Sequence, residues 1–169
     1  MTTTPEEARR RRTTTWEDPS ISAAQLGRES GLAMLEAVRD GRLPAAPIAT
    51  TVGFDLDLVE EGRVVFSLEP AEHHYNPIGS VHGGVFATLL DSATGCAVHS
   101  TLPVGVGYTS LDLAVKFLGA IRADTGPVLC RGTVTHLGRR TALAEATLTA
   151  EDGRLLATAT SACLVFDLT

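Results

Sequence analysis

Apolar and polar residues change their spacing along this chain, and each change marks a different kind of element. From 20 to 41 the apolar positions recur at helical intervals, at Ile21, Leu26, Leu32, Leu35 and Val38. Ser20 and Ser22 are candidate N-caps, Gly31 is a candidate break, and Asp40-Gly41 followed by Pro44 and Pro47 marks the stop. From Thr51 the interval shortens to two. Phe54, Leu56 and Leu58 alternate with Asp55, Asp57 and Val59, Glu61-Gly62 makes a turn, and Val64, Phe66 and Leu68 alternate again. That pattern predicts a hairpin of half-buried strands. A polar, turn-rich loop over 71–80 leads into a long apolar segment of helix formers over 81–100. Strand texture then returns over 109–118, 128–136, 141–150 and 155–166, with turns at Gly119-Ala120, Leu137-Gly138 and Asp152-Gly153. Two strands, one long helix and four strands make an α+β order, a mainly antiparallel sheet with one helix packed on it.

The long helix is unusual in its apolar distribution. A helix lying on a sheet with solvent behind it shows a polar outer face. Here Val85, Phe86, Ala87, Leu89, Leu90, Ala93, Cys96, Ala97 and Val98 spread apolar groups almost all round. The helix is therefore expected to be enclosed, by a curved sheet or by a second subunit. Its one carboxylate, Asp91, lies a turn after Thr88 and a turn before Thr94-Gly95, in a narrow polar stripe. Buried there it would cost several kcal/mol unless hydrogen-bonded or functional, which makes it the leading candidate for chemistry. Ahead of it runs Asn76-Pro77-Ile78-Gly79-Ser80-Val81-His82-Gly83-Gly84. Two glycines just inside a helix start are poor helix formers. They fit a site where another molecule meets the unpaired N–H groups at the positive end of the helix dipole. They fit equally a helix start pressed tightly on the sheet.

Composition narrows the setting. At 169 residues, with 44% hydrophobic and 20% charged, the chain suits one compact domain plus some tail. A net charge of −6 argues against a general nucleic-acid binder. Cys96, Cys130 and Cys163 are too dispersed for a metal site and read as reduced, buried thiols. No apolar run approaches the roughly 18 residues of a membrane-spanning helix, and the first residues lack the apolar segment of a secretory signal. A cytoplasmic protein with no membrane partner and no metal is the expectation. Residues 1–20 read as a mobile tail, in which Arg9 to Arg12 form a solvated basic run. His73 and His74 are expected to face solvent, without partners at ligand spacing.

Taken together, Asn76, His82, Gly83, Gly84 and Asp91, in the pattern Asn-x5-His-Gly-Gly-x7-Asp, resemble the PaaI-like branch of hotdog-fold acyl-CoA thioesterases. The resemblance covers about residues 50 to 167 and includes Thr109-Ser110-Leu111-Asp112-Leu113 and Leu137-Gly138-Arg139-Arg140. It implies a hotdog fold: a curved antiparallel sheet wrapped around one long central helix, paired with a second copy. The chain would then divide into the tail, an accessory helical extension over 21–47 and a thioesterase domain over 48–169. By the same resemblance, Asp91 would act as general base or nucleophile, and the Gly83 N–H would donate to the thioester oxygen. Asn76 and His82 would position substrate or water, and Ser110 would help hold the water. Arg139 and Arg140 are candidates for coenzyme A phosphates. Gly84, Thr88 and Leu89 would line the bound acyl-CoA, and no cofactor is implied. Since Gly83 and Asp91 are eight residues apart, one straight helix separates them by roughly 12 Å. Acting on one carbonyl, they must come from two chains, so a homodimer is expected to be essential, with a tetramer common among relatives. A hotdog enoyl-CoA hydratase or dehydratase and a non-catalytic acyl-CoA-binding module are the alternatives.

Overall fold

The computed structural model describes residues 9–168. Seven antiparallel strands form one sheet around a single long helix. The elements are α1 (Ser20–Ala23), α2 (Gly31–Arg39), α3 (Pro47–Val52), β1 (Phe54–Glu60), β2 (Arg63–Leu68), α4 (Gly83–His99), β3 (Val106–Ser110), β4 (Ala114–Phe117), β5 (Val128–Leu137), β6 (Thr141–Ala150) and β7 (Leu155–Asp167). The sheet runs β1-β2-β5-β6-β7-β3, and β4 pairs with another stretch of β7. Two hairpin turns are built on glycines in the left-handed region, Gly62 (φ 74°) and Gly153 (φ 83°), where a side chain would be strained.

The sheet closes around α4, which packs on β2, β5, β6 and β7. Phe86, Leu89, Leu90, Ala93, Ala97 and Val98 are buried, against Val64, Phe66, Val128, Cys130, Leu148 and Leu156 among others. Removing one such side chain, as in Leu90→Ala, would cost about 2–5 kcal/mol. Backbone meets backbone at the centre: a Cβ on Gly132 of β5 would overlap the carbonyl of Ala93. That glycine sets how closely helix and sheet approach.

Two expected elements take different forms, and one helix was not expected. The helical pattern over 20–41 is two helices joined by turns. Ser30, not Ser20 or Ser22, caps the main one, its hydroxyl accepting from the Ala33 N–H at 3.3 Å. The break falls at 24–30, where Gly27 has φ 77°. Residues 47–52 form α3, with Pro47 at its first turn and Gly53 closing it at φ 91°. The strand expected over 109–118 is divided into β3 and β4. Between them the Asp112 carbonyl accepts from the Ser161 hydroxyl at 2.8 Å, and its carboxylate accepts from the Ala162 N–H at 2.9 Å. One residue thus takes bonds from two consecutive positions of β7 and interrupts the ladder.

His74 does not face solvent. It is 5% exposed, its Nδ1 accepts from the Ala71 N–H at 3.0 Å, and its Nε2 lies 2.7 Å from the Val52 carbonyl oxygen. Burial follows from what it ties down, the end of α3 and the start of the next loop. Residues 1–8 of the expected tail lie outside the described residues. Part of the basic run is docked: Arg12 donates to the Thr51 carbonyl at 2.6 Å, and Arg10 pairs with Glu72 at 3.3 Å. Among the described residues no helix is long and apolar enough to cross a membrane.

Candidate active site

The site residues fall into two groups at different heights along α4. The first surrounds its N-terminus. Asn76 organises the approach loop: its side-chain oxygen accepts from the N–H groups of Ile78 and Ser80, and its Nδ2 donates to the Ser80 hydroxyl at 3.1 Å. His82 is the N-cap, and its Nδ1 accepts from the Gly84 N–H at 2.9 Å. This bond uses the second glycine amide, so Gly84 has no free N–H to offer a ligand. Among the described residues the Gly83 N–H has no acceptor. It opens on a shallow cleft of about 370 Å³ bounded by Asn76, Ser80, Phe86, Phe117 and Gly119.

Close packing on the sheet accounts for part of the glycine pair, since Phe117, which faces Gly83, belongs to β4. A Cβ on Gly83 would meet only the ring of Phe117, at 3.2 Å, and one on Gly84 only the His82 ring, at 3.0 Å. Neither neighbour is sheet backbone. Phe117, 57% exposed and edge-on to Phe86 at 5.5 Å, is a wall of this cleft that sequence reasoning missed. An apolar residue two or three before the turn at Gly119 gave no signal of its own.

The second group lies two turns further on. Asp91 is exposed on this chain, so of the two covers expected for the helix, a curved sheet or a second subunit, the sheet does not supply the one over this face. The sheet covers the rest of α4 but leaves this face open. Its Oδ1 accepts from the Ser110 hydroxyl at 3.4 Å, a long contact across to β3. Neither neighbouring threonine satisfies the carboxylate. Thr88 donates to the Gly84 carbonyl at 2.9 Å, and Thr94 donates to the carbonyls of Leu90 and Asp91. Asp91 is therefore not a helix carboxylate neutralised within its own turn. Tyr108, two residues before Ser110 and on the same face of β3, presses its hydroxyl against Gly95, where a Cβ would come within 2.8 Å. Burial raises the Tyr108 phenol well above its usual range, so it is a neutral donor beside the Asp91 stripe. The period-two spacing from Ser110 was the signal that could have found it.

Other expected residues lie apart from these groups. Leu89 is 1% exposed within the core and lines none of the three main cavities. Arg139 and Arg140 are exposed in the β5–β6 turn, beside a cavity near the C-terminal end of α4. Gly83 is at the opposite end of that helix, roughly 24 Å away at about 1.5 Å per residue. The cysteines are free; burial pushes Cys96 and Cys130 up to about 12, which keeps both thiols protonated and non-nucleophilic at neutral pH.

Comparison with known proteins bears on the fold and on the family. A family model described as the thioesterase superfamily matches residues 78–157, from the Asn76 loop to the start of β7. A 1,4-dihydroxy-2-naphthoyl-CoA hydrolase of Listeria monocytogenes is 28% identical over 106 residues, 63% of this chain and 85% of its own length. A phenylacetic acid degradation-related protein from Ralstonia eutropha superposes with a TM-score of 0.69 at 29% identity, covering 77% of this chain and 98% of its own. A Streptococcus mutans protein solved with acetyl-CoA superposes at 0.62 with 28% identity, over 68% of this chain and 90% of its own. With the sheet, the enclosed helix and these matches in place, the chain has the hotdog fold, and its residues 78–157 are similar to the thioesterase superfamily.

Proposed function

We propose that this protein hydrolyses acyl-CoA thioesters to the free acid and coenzyme A, at a site formed between two copies of the chain. One observation carries the reading: on a single helix, an amide without an acceptor and an exposed carboxylate without a charged partner are held too far apart to meet one carbonyl. A general base works within about 3 Å of the reacting group or through one water. A two-fold pairing that lays Gly83 of one protomer beside Asp91 of its partner supplies both groups twice.

The Gly83 N–H then donates to the thioester oxygen and stabilises the negative charge that grows on it. Asp91, with Ser110 donating to its other face, takes a proton from water as that water attacks the carbonyl carbon. The carbon–sulfur bond breaks, the thiolate leaves as coenzyme A and takes up a proton, and the acid remains. Direct attack by Asp91, with an anhydride hydrolysed in a second step, uses the same atoms. Single turnover in ¹⁸O-water separates the two routes, since only the anhydride route can leave label in Asp91. The related hydrolase named for a naphthoyl-CoA and the acetyl-CoA-bound neighbour support coenzyme A thioesters as the substrate class. With its Nδ1 accepting from the Gly84 N–H, the neutral His82 ring carries its proton on Nε2, which favours hydrolysis over the histidine base of a hydratase.

Thiol release from a panel of acyl-CoA substrates tests the reading directly. Asp91→Asn should lower kcat by at least about 100-fold with KM changed by no more than a few-fold. A variant that keeps most of its turnover removes Asp91 from the mechanism.

A further inference from the structure

A cavity lies beside the Asp91 stripe, between the N-terminal extension and the sheet. Its volume is about 650 Å³, within the range of small-molecule sites. One wall comes from the extension: Leu35 and Val38 of α2, then Pro44 to Ala49 leading into α3. The opposite wall is Phe54 and Leu56 of β1 with Phe66 of β2. Ser92 and Cys96 of α4 close the inner end. Ser92 directly follows Asp91, about a quarter turn around the helix, and Cys96 stacks one turn beyond it. The cavity therefore starts at the carboxylate's own turn and leads away from it.

Its chemistry admits one kind of occupant. Apart from Ser22 and Ser92, the wall is aliphatic or aromatic, and the charged residues that border it, Arg39, Asp55 and Asp57, are all exposed. Arg39 is already held by Asp40 at 2.9 Å. The Cys96 thiol is protonated and accepts no charge. An uncharged hydrocarbon fits here, and a carboxylate or phosphate does not.

We propose that this cavity receives the acyl group of the thioester, so that residues 35–49 of the extension set the length and bulk of the group accepted. The inference rests on the hydrolytic reading for its substrate and adds the place where specificity is determined. Asp91 holds the reacting end, and the hydrocarbon runs past Ser92 and Cys96 beneath α2 and α3. The extension is thus a wall of the site.

The test fills the cavity from its rim. Ala45 and Ala46 are exposed on the connection into α3, and the Ala46 side chain makes no capping bond, so tryptophan can be placed there without opening the core. In the full-length protein, Ala46→Trp should lower the ratio of kcat/KM for decanoyl-CoA to that for acetyl-CoA by at least about tenfold, chiefly through KM. Ala45→Trp serves as the second variant if Ala46→Trp loses its cooperative melting. Decanoate binding to the Asp91→Asn protein, measured by calorimetry, should weaken by a similar factor when Ala46→Trp is added. An unchanged chain-length profile with unchanged decanoate binding overturns the assignment while hydrolysis itself stands. Decanoate that binds and is excluded by Ala46→Trp, in a protein that releases no thiol from any acyl-CoA, leaves the cavity assigned and removes the hydrolytic reading. A shift in oligomeric state with Ala46→Trp, seen by sedimentation, gives the groove to a neighbouring copy and also overturns it.

Discussion

The two margins of the sheet are finished differently. At the β1 margin the chain covers itself: α2 and α3 pack on the strand, Arg12 ties back to Thr51, and Ser22 donates to the Pro44 carbonyl at 3.0 Å. At the β3 margin no further strand pairs among the described residues, and Leu111 stands 60% exposed beside Ser110. Leu118, close to Phe117, is 58% exposed. The closed margin has an apolar cavity and no acid or base inside it. The open margin has the carboxylate, its serine and the unpaired amide of the helix head. Shelter for hydrocarbon is thus built within one chain, whereas the polar chemistry is left for a second chain to complete. An apolar strand edge left bare is a pairing surface, and here it borders the reactive groups.

The sharpest way to break that contrast is to divide the two reactive groups between chains. Gly83→Val crowds the amide, Asp91→Asn removes the base, and each alone should fall by at least about 100-fold. Mixed after unfolding and refolding together, the two variants should recover about a quarter of wild-type turnover. Half the dimers are then mixed, and each mixed dimer holds one intact site and one doubly defective site. If one chain supplied both groups to the same carbonyl, no mixture would recover anything. Thiol release from the mixture, with each variant alone as reference, decides between them.

A smaller effect is expected at the closed margin. The Gly31 N–H donates to the Leu102 carbonyl at 3.0 Å, and a Cβ on Gly31 would overlap the carbonyl oxygen of His99. This is where α2 seats on the end of α4. Gly31→Ala should destabilise by about 1–3 kcal/mol, roughly 2–10 °C in Tm, because backbone has to shift. Limited proteolysis should then cut between residues 24 and 46 earlier than in the wild type. Unchanged melting would mean that the extension is held elsewhere.

The fate of Gly31 shows what could be read from sequence and what could not. It was visible as a place where the helical pattern falters, but its neighbour, the carbonyl at the end of α4, is a tertiary fact. The long helix and the hairpins were legible because apolar period and turn glycines act locally. The helix over 47–52 was not: Ile48, Thr50, Thr51 and Val52 favour strand, and Pro47 with the left-handed Gly53 overrides them. The motif placed Asn76, His82, Gly83 and Asp91 near one helix. It left open that the imidazole of His82 is used on Gly84, which only the cap geometry shows. Which of the two expected covers lies over Asp91 was not legible for a simpler reason. An all-round apolar helix says that something covers each face, and the face carrying Asp91 is the one its own sheet leaves bare.

The smallest expected effect comes from His99, at the junction between α4 and α2. Its Nδ1 is buried without a hydrogen-bond partner, its ring lies 5.6 Å from that of Tyr108, and burial lowers its pKa. The fold holds the neutral imidazole, whereas the unfolded chain takes up a proton near pH 6.5. Below that pH the unfolded state binds more protons, so the stability contributed by neutral His99 is complete above about 6.5 and is lost as pH falls toward the folded-state value. His99→Phe keeps an aromatic ring against Tyr108 and removes the titration. Melting followed from pH 7.5 to 5.0 should therefore fall less steeply in the variant, by no more than about 4 °C across the range. Groups that titrate in both proteins cancel in the difference. Parallel pH profiles would place the acid sensitivity of the fold elsewhere, and would leave the seat of the extension independent of pH.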